Sequence, residues 1–442
     1  MKTNLFICKT AIIFTLLLHI NSVCLLSQNC NYTWVQQQSG TTAILHSVKA
    51  VNELICWTAG TNGTVRRTTD GGTTWLNANL NPGIINGNIT NIDAVDASNA
   101  WVTTSITTNT FIYKTTNSGN NWVQVYSQTG GFIHGINMIS SANGFAFGDP
   151  IANTWRILVT TDGGFNWLPH PLAPSAQAGE SGFENCFQVS LPYMWFGASI
   201  GSIYRTTNNG VNWTSHPTPG INSYVFAIHF NSLVLGLAAA LSMVKSTDAG
   251  ATYTPLPALG LGNINGIEGS GNDFWYIRGS STYRSTNGGE NWTLVYDAGN
   301  TQLHIDFPNN LSGCLMGWAV GYTGLISKMT GTPVGTANNN NEIPKEFALE
   351  QNYPNPFNPI TKIIFALPPS PAGEGLGVRV AVYDILGREV QTLVNEKLKS
   401  GVYEITFDAS NLSSGVYYYK LNVVETTRRV VFTDTKKMVV VK

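Results

Sequence analysis

The sequence predicts an all-β chain in two parts: a seven-bladed β-propeller closed by its own N-terminal strand, then an immunoglobulin-like β-sandwich. Two observations carry this. An eight-residue pattern ending in an aromatic recurs six times in phase, and the texture of the chain changes after a polar stretch that ends near Glu342. Composition agrees. Only 11% of the 442 residues are charged and the formal net charge is −1, while 44 Gly and 12 Trp supply tight turns and aromatic plugs. No excess of Lys and Arg is present to hold phosphates, so nucleic-acid binding is excluded as an expectation.

Residues 1–27 read as a signal peptide. Lys2 and Lys9 lie near an apolar core, Ala11 to Ile20, that is too short to span a bilayer, and Ser27 is a small residue ahead of the expected cut. No later segment reaches ~18 apolar residues, so no integral membrane segment is expected. Beyond the leader remain Cys30, Cys56, Cys186 and Cys314. Their scatter excludes close metal-ligand spacing, and neither a metal nor a cofactor is expected. Export permits disulfides. Cys30 and Cys314 fall in the same predicted blade and are the first pair expected, with buried free thiols as the alternative.

The recurring pattern is Thr or Ser, any residue, Asp or Asn, any residue, Gly, two residues, then an aromatic. It appears as RTTDGGTTW ending at Trp75, KTTNSGNNW at Trp122, VTTDGGFNW at Trp167, RTTNNGVNW at Trp213, KSTDAGATY at Tyr253 and RSTNGGENW at Trp292. The copies recur about every 40–47 residues, the length of a four-stranded propeller blade. Each unit reads as four short strands rich in β-branched and aromatic residues and bounded by Gly and Asn. The apolar run Ser232 to Val244 is therefore inner sheet of the fifth unit. Gly317 to Gly331 repeats the middle strands a seventh time without an aromatic after the turn. Tyr32 to Gln38 supplies the missing outer strand, with Trp34 in the aromatic position, and closing the ring this way leaves no open sheet edge.

The third residue of the pattern is Asp70, Asp162 and Asp248 in three copies and Asn117, Asn208 and Asn287 in the others. Asn makes the same turn-fixing hydrogen bonds but is no carboxylate, so the position is expected to be a structural turn rather than a metal or catalytic site. These motifs resemble Asp-boxes, or BNR repeats, of sialidases, the sortilin ectodomain, xyloglucan-cleaving propellers and the photosystem II stability/assembly factor family. The resemblance covers residues 28–331 and is nearest to the assembly-factor type. It implies that the boxes join the two outer strands of each blade, away from the ligand face. Sialidase activity is not expected, because the FRIP-like segment is absent and Arg is scarce.

Propeller ligands sit on the face built by the inter-blade loops and the loops joining the middle strands. Phe147 to Arg156 offers Asp149, Trp155 and Arg156; Ser175 to Asn185 carries Glu180 and Glu184; Gln302 to Phe307 offers His304 and Asp306. Asp149 with Glu180 or Glu184 would form a carboxylate pair for glycoside hydrolysis, against the plainer reading of a Gly-Asp-Pro turn and a solvated loop. Trp155, Arg156, His304 and Asp306 are the ligand-binding candidates. His134 and His229 are expected on inner strands as satisfied core histidines.

Residues 332–344 read as a polar linker. Residues 345–442 then alternate in a pattern expected of a sandwich of about seven strands. Leu386–Arg388 and Ser413–Gly415 are read as hairpin turns, and the insertion Pro369 to Gly377 as a lengthened hairpin loop. This module resembles the type A C-terminal sorting domain of the type IX secretion system. The resemblance rests on Tyr353 to Pro359 (with Pro354, Asn355 and Pro356), Val382 to Asp384, Leu386 to Val390 with Gly387, Leu412 with Ser414 to Tyr419 and Gly415, and Lys436 to Met438 with Lys437. It implies a Gram-negative bacterium, export through two membranes, contact with the type IX machinery, and a secreted or cell-surface product. The expected function is a monomeric, non-catalytic binding or scaffold propeller whose ligand is a glycan or a protein. A glycan-active hydrolase is the alternative, and a purely structural surface protein the third reading.

Overall fold

The computed structural model describes residues 30–80, 85, 87–106, 108–308, 314–333, 344–369, 376–409, 412–424 and 430–441. The predicted leader, most of the predicted linker and the centre of the Pro369–Gly377 insertion lie outside the described residues.

Among the described residues, seven four-stranded antiparallel sheets repeat one plan. Their innermost strands are Leu45–Ala50, Asn88–Ala94, Ile133–Met138, Phe187–Ser190, Ala227–Phe230, Ile264–Ser270 and Gln302–Asp306, taken as blades 1 to 7. Each packs against the innermost strand of the next blade, and blade 7 returns to blade 1, so the sheets close into a ring. The chain closes that ring as the sequence predicts. Cys30–Gln37 pairs antiparallel with Ile326–Pro333 and becomes the outer strand of blade 7. The Gln37 side chain also accepts from the indole N–H groups of Trp75 and Trp318 and donates to Gly71 O, tying the closing strand to both blades at the seam. A disulfide joins Cys30 to Cys314, with Cα atoms 5.8 Å apart; Cys56 and Cys186 are buried free thiols.

The repeated motif forms the turn between the third and fourth strands of six blades, and each copy has the same bonds. In the third copy Thr160 Oγ1 donates to Asp162 Oδ1 and accepts from the Gly164 N–H, while Asn166 N–H donates to Asp162 Oδ1. The Asn copies keep this pattern, as at Thr206, Asn208, Gly210 and Asn212. The glycine packs on the preceding blade, and a Cβ on Gly164 would lie 2.3 Å from Trp101 Nε1. In the Asp copies the second carboxylate oxygen takes one further bond, from Thr74, Asn166 or Thr252. These bonds hold Asp70 and Asp162 down to about 2. Two substitutions separate turn from carboxylate. Asp162→Asn keeps the Oδ1 acceptor and loses only the bond from Asn166 to the second oxygen, so a small fall in melting temperature is expected at pH 7. Thr160→Val strands the Gly164 N–H in a buried turn and should cost about 1–3 kcal/mol in denaturant unfolding; equal losses from both would refute the structural reading.

The second part packs a three-stranded sheet against a four-stranded one. Its core is apolar, with Phe365, Val380, Tyr419, Leu421 and Met438 fully buried. The Asp384–Arg388 segment is the expected hairpin turn: Asp384 accepts from the Leu386 and Arg388 N–H groups, and Gly387 takes φ +75°. Two other expectations are corrected. Ser413–Gly415 lies between Gly401–Asp408 and Gly415–Val424, and Pro369–Gly377 between Ile360–Leu367 and Leu376–Tyr383. In each case the flanking strands belong to different sheets, so these connections cross the sandwich instead of making hairpins.

Residues of the Tyr353–Pro359 motif clamp the last strand. Asn355 accepts from Val439 N–H and donates to Lys437 O, and Phe357 bonds Val439 O and Val441 N–H through its backbone. Pro354 O accepts from Asn352 and Thr361. Lys436 pairs with Asp434.

Candidate functional site on the propeller axis

Ring closure brings the seven innermost strands around an axial cavity of about 190 Å³. In each blade the position that follows a β-branched or aromatic residue faces this cavity with a polar side chain: Lys49, Asp93, Asn137, Gln188, His229, Glu268 and Asp306. Behind six of them the paired second-strand residue is aromatic, as in Trp57 behind Lys49 and Trp318 behind Asp306. A polar ring thus lines an apolar wall.

Several of these side chains also join neighbouring blades. Innermost strands of adjacent blades share no ladder, so their amide N–H groups need other acceptors. Asp93 Oδ2 accepts from Met138 N–H at 2.5 Å, Gln188 Oε1 from Phe230 N–H at 2.6 Å and Asp306 Oδ2 from Ala50 N–H at 2.6 Å. One layer further along the axis, Asn91 accepts from Ile136 N–H and His304 Nδ1 from Val48 N–H. His304 and Asp306, expected on the loop face, are therefore joints between blade 7 and blade 1 inside the channel.

The charges are unbalanced. Lys49 Nζ stands 3.6 Å from Asp93 and 3.8 Å from Asp306, and His229 stands 3.4 Å from Glu268. Burial opposes the Lys49 charge, but Asp306, Asp93 and Glu268 hold its ammonium well above the usual lysine range. Burial pushes Asp306 up to about 7 against the pull of Lys49, because one cation cannot satisfy the crowded carboxylates. Burial and nearby Lys49 drive His304 down to about 4, so it is neutral and free to accept the Val48 N–H. Against burial, Glu268 raises His229. Among the described residues no group of three or more His, Cys, Asp or Glu side chains is arranged to hold a metal.

The loop-face candidates are dispersed. Trp155 is 1% exposed and packs among Phe147, Phe196 and Tyr204; it is core and unavailable to a ligand, because its ring is held between blades 3 and 4. Arg156 is part-buried beside it on the same strand, paired with Gly148. Glu180 turns inward: it accepts from Tyr204 OH at 2.6 Å and Gln177 N–H at 2.8 Å, which fixes its loop. Burial and this carboxylate push the Tyr204 hydroxyl up to about 12. Asp149 is bound by His134 Nε2 at 2.7 Å and the Gly182 N–H at 2.8 Å, and these outweigh burial to keep its carboxyl below the usual range. Glu184 is raised by burial against the opposing pull of His134. His134 thus bonds Asp149 and its charge bears on Glu184, while Glu180 belongs to another network. His134 and His229 do lie on innermost strands with carboxylate partners, as expected. Asn185, next to Glu184, reaches across the loop-side end of the channel and bonds Ser47, Asn91 and His46 O from two other blades.

Sequence reasoning missed Lys49, Asp93, Asn137, Gln188 and Glu268. Their signal was present, since one polar residue follows an apolar one at the same place in every unit.

A closed propeller with a polar axis and a β-sandwich tail defines an all-β protein in two parts. No helix among the described residues is long and apolar enough to cross a membrane. Residues 351–440 match the family of the secretion system C-terminal sorting domain, which implies secretion to the cell surface or the extracellular space. Residues 16–147 match the family of photosynthesis system II assembly factor YCF48. Among solved structures, YCF48 from Cyanidioschyzon merolae superposes with a TM-score of 0.50 at 18% identity, covering 67% of this chain and 98% of that one. A structure of YCF48 bound to D1 peptide gives 0.48 at 18% identity, covering 67% and 96%. U3-55K gives 0.50 at 8% identity, covering 67% and 98%. At these identities the likeness is one of fold. No curated protein matches the chain.

Proposed function

We propose that this protein is an exported recognition module that binds a glycan or protein ligand outside the cell and catalyses no reaction on it. The observation that carries the reading is how the candidate carboxylates are used. Glu180 is locked on Tyr204 and Gln177, and Asp149 on His134 and Gly182, so neither is left as an open acid or nucleophile facing a partner carboxylate across a cleft. Asp70, Asp162 and Asp248, read as Asp-boxes, act as turn fixers, which Asn replaces in half the copies. A rigid ring carrying many short loops suits recognition, although fold alone does not assign it.

A hydrolase remains the second reading because of Glu184, a carboxyl raised by burial beside the His134–Asp149 pair. One experiment separates them. The full chain is applied to oligosaccharide and peptide arrays while reducing-end release is followed in the same wells. Binding without release is the expected result. Release that disappears in Glu184→Gln would make the protein an enzyme, and no binding to either array would remove the recognition reading.

A further inference from the structure

A second cavity, of about 810 Å³, lies where the ring closes on the loop face. Three segments form it: residues 36–42, which end the closing strand and run beyond it, the turn 298–300 that enters blade 7, and residues 323–326 in blade 7. It is unlike the axial channel in one respect: no lining side chain is ionisable. The polar lining is carboxamide and hydroxyl, over a floor that includes buried Ile326 and Leu325.

Two further features mark it. Gln38 and Thr42 are exposed and have no hydrogen-bond partner among the described residues, so a carboxamide and a hydroxyl stand open at the lining. Thr323 adopts φ 54° and ψ 34°, a left-handed conformation that β-branched residues rarely take. The equivalent turn of blade 1 places Asn62 there, a residue that tolerates it. Held in this shape, Thr323 Oγ1 donates to Tyr322 O and accepts from the Asn300 amide at 2.5 Å, which fixes Asn300 in the wall. Local strain of this kind concentrates at ligand sites.

We infer that this cleft binds a neutral saccharide. Carboxamides and hydroxyls each offer both donors and acceptors, which matches sugar hydroxyls and gives no advantage to a charged ligand. The volume falls in the range of small-ligand pockets. The inference rests on the recognition reading and names its ligand class.

The test uses the full chain on an array of neutral oligosaccharides, uronic- or sialic-acid oligosaccharides, and peptides. Gln38→Ala and Thr42→Arg run beside the parent, with melting curves for all three. The expected result is neutral-saccharide binding that weakens at least about tenfold in both variants, since each loses a hydrogen bond or the space, while melting is unchanged. Neutral binding untouched by both variants overturns the cleft but keeps the recognition reading. Binding only to acidic saccharides or to peptides overturns the ligand class. Binding to nothing overturns the inference together with the recognition reading.

Discussion

Cys30→Ser is expected to destabilise the propeller by about 3–5 kcal/mol in denaturant unfolding, and treating the parent with reductant should reproduce the loss. The disulfide spans 284 residues of sequence, so it removes a very large loop from the unfolded ensemble; the chain-entropy estimate for such a loop is about 5.6 kcal/mol. The measured loss should fall at or below that figure, because the eight-residue pairing of Cys30–Gln37 with Ile326–Pro333 and the three Gln37 bonds remain. Cys314→Ser should match Cys30→Ser, and the double variant should match either single one, since all three lose the same bond. Reductant should do nothing to the double variant, because Cys56 and Cys186 are buried and unpaired. Proteolysis reads the same event locally. Without the disulfide, residues 30–37 should fray from blade 7 and become the first cleavage site, exposing the sheet edge they normally cover. If cleavage begins elsewhere and unfolding is unchanged, ring closure does not depend on this bond.

Much of the architecture was legible because it is periodic. The motif at Asp70 and its five counterparts set the blade phase, Trp34 identified the closing strand, and the shared blade singled out Cys30 and Cys314. Facing was far less legible. In blades 1, 2, 3, 6 and 7 the innermost strand carries a bulge, between Leu45 and Ser47 in blade 1 and between Gln302 and His304 in blade 7. His304 and Asp306 follow the turn signal Gly299-Asn300 and read as part of an inter-blade connection, yet Gln302–Asp306 is the innermost strand of blade 7 and faces the channel. Trp155 and Glu180 failed for another reason. Both sit in segments rich in turn signals, yet their partners, Phe196 and Tyr204, come from the following blade. The two misread crossings of the sandwich have the same origin, since turn residues reveal that a chain reverses but not which sheet receives it.

Lys49→Met tests the axial ring most severely. Removing the ammonium leaves Asp93 and Asp306 buried without their cation, and breaking a buried ion pair by deleting one partner costs about 3–5 kcal/mol. The loss must depend on pH in a defined direction. Burial already raises both carboxyls above their ordinary values, and without Lys49 they rise further. A group whose pKa is raised on folding contributes stability at low pH, below its unfolded value near 4, and that contribution is lost as pH climbs through the folded value. The Lys49→Met penalty should therefore be largest at pH 8 and shrink towards pH 5 as Asp306 and Asp93 take up protons. Asp306→Asn is the discriminating partner. It preserves an acceptor for the Ala50 N–H but removes one excess negative charge, so at pH 8 it should cost less than about 1 kcal/mol or stabilise the protein. Acid behaviour follows from the opposite sign at His304, whose folded value near 4 lies below the ordinary histidine range. Its contribution is present above about pH 6.5 and is lost as pH falls towards 4, when protonation removes the acceptor for Val48. The Lys49→Met variant should consequently show its best stability relative to the parent in mildly acidic buffer. If its penalty is instead flat from pH 5 to pH 8, or if Asp306→Asn costs as much as Lys49→Met, the ring is held by packing and not by its charges.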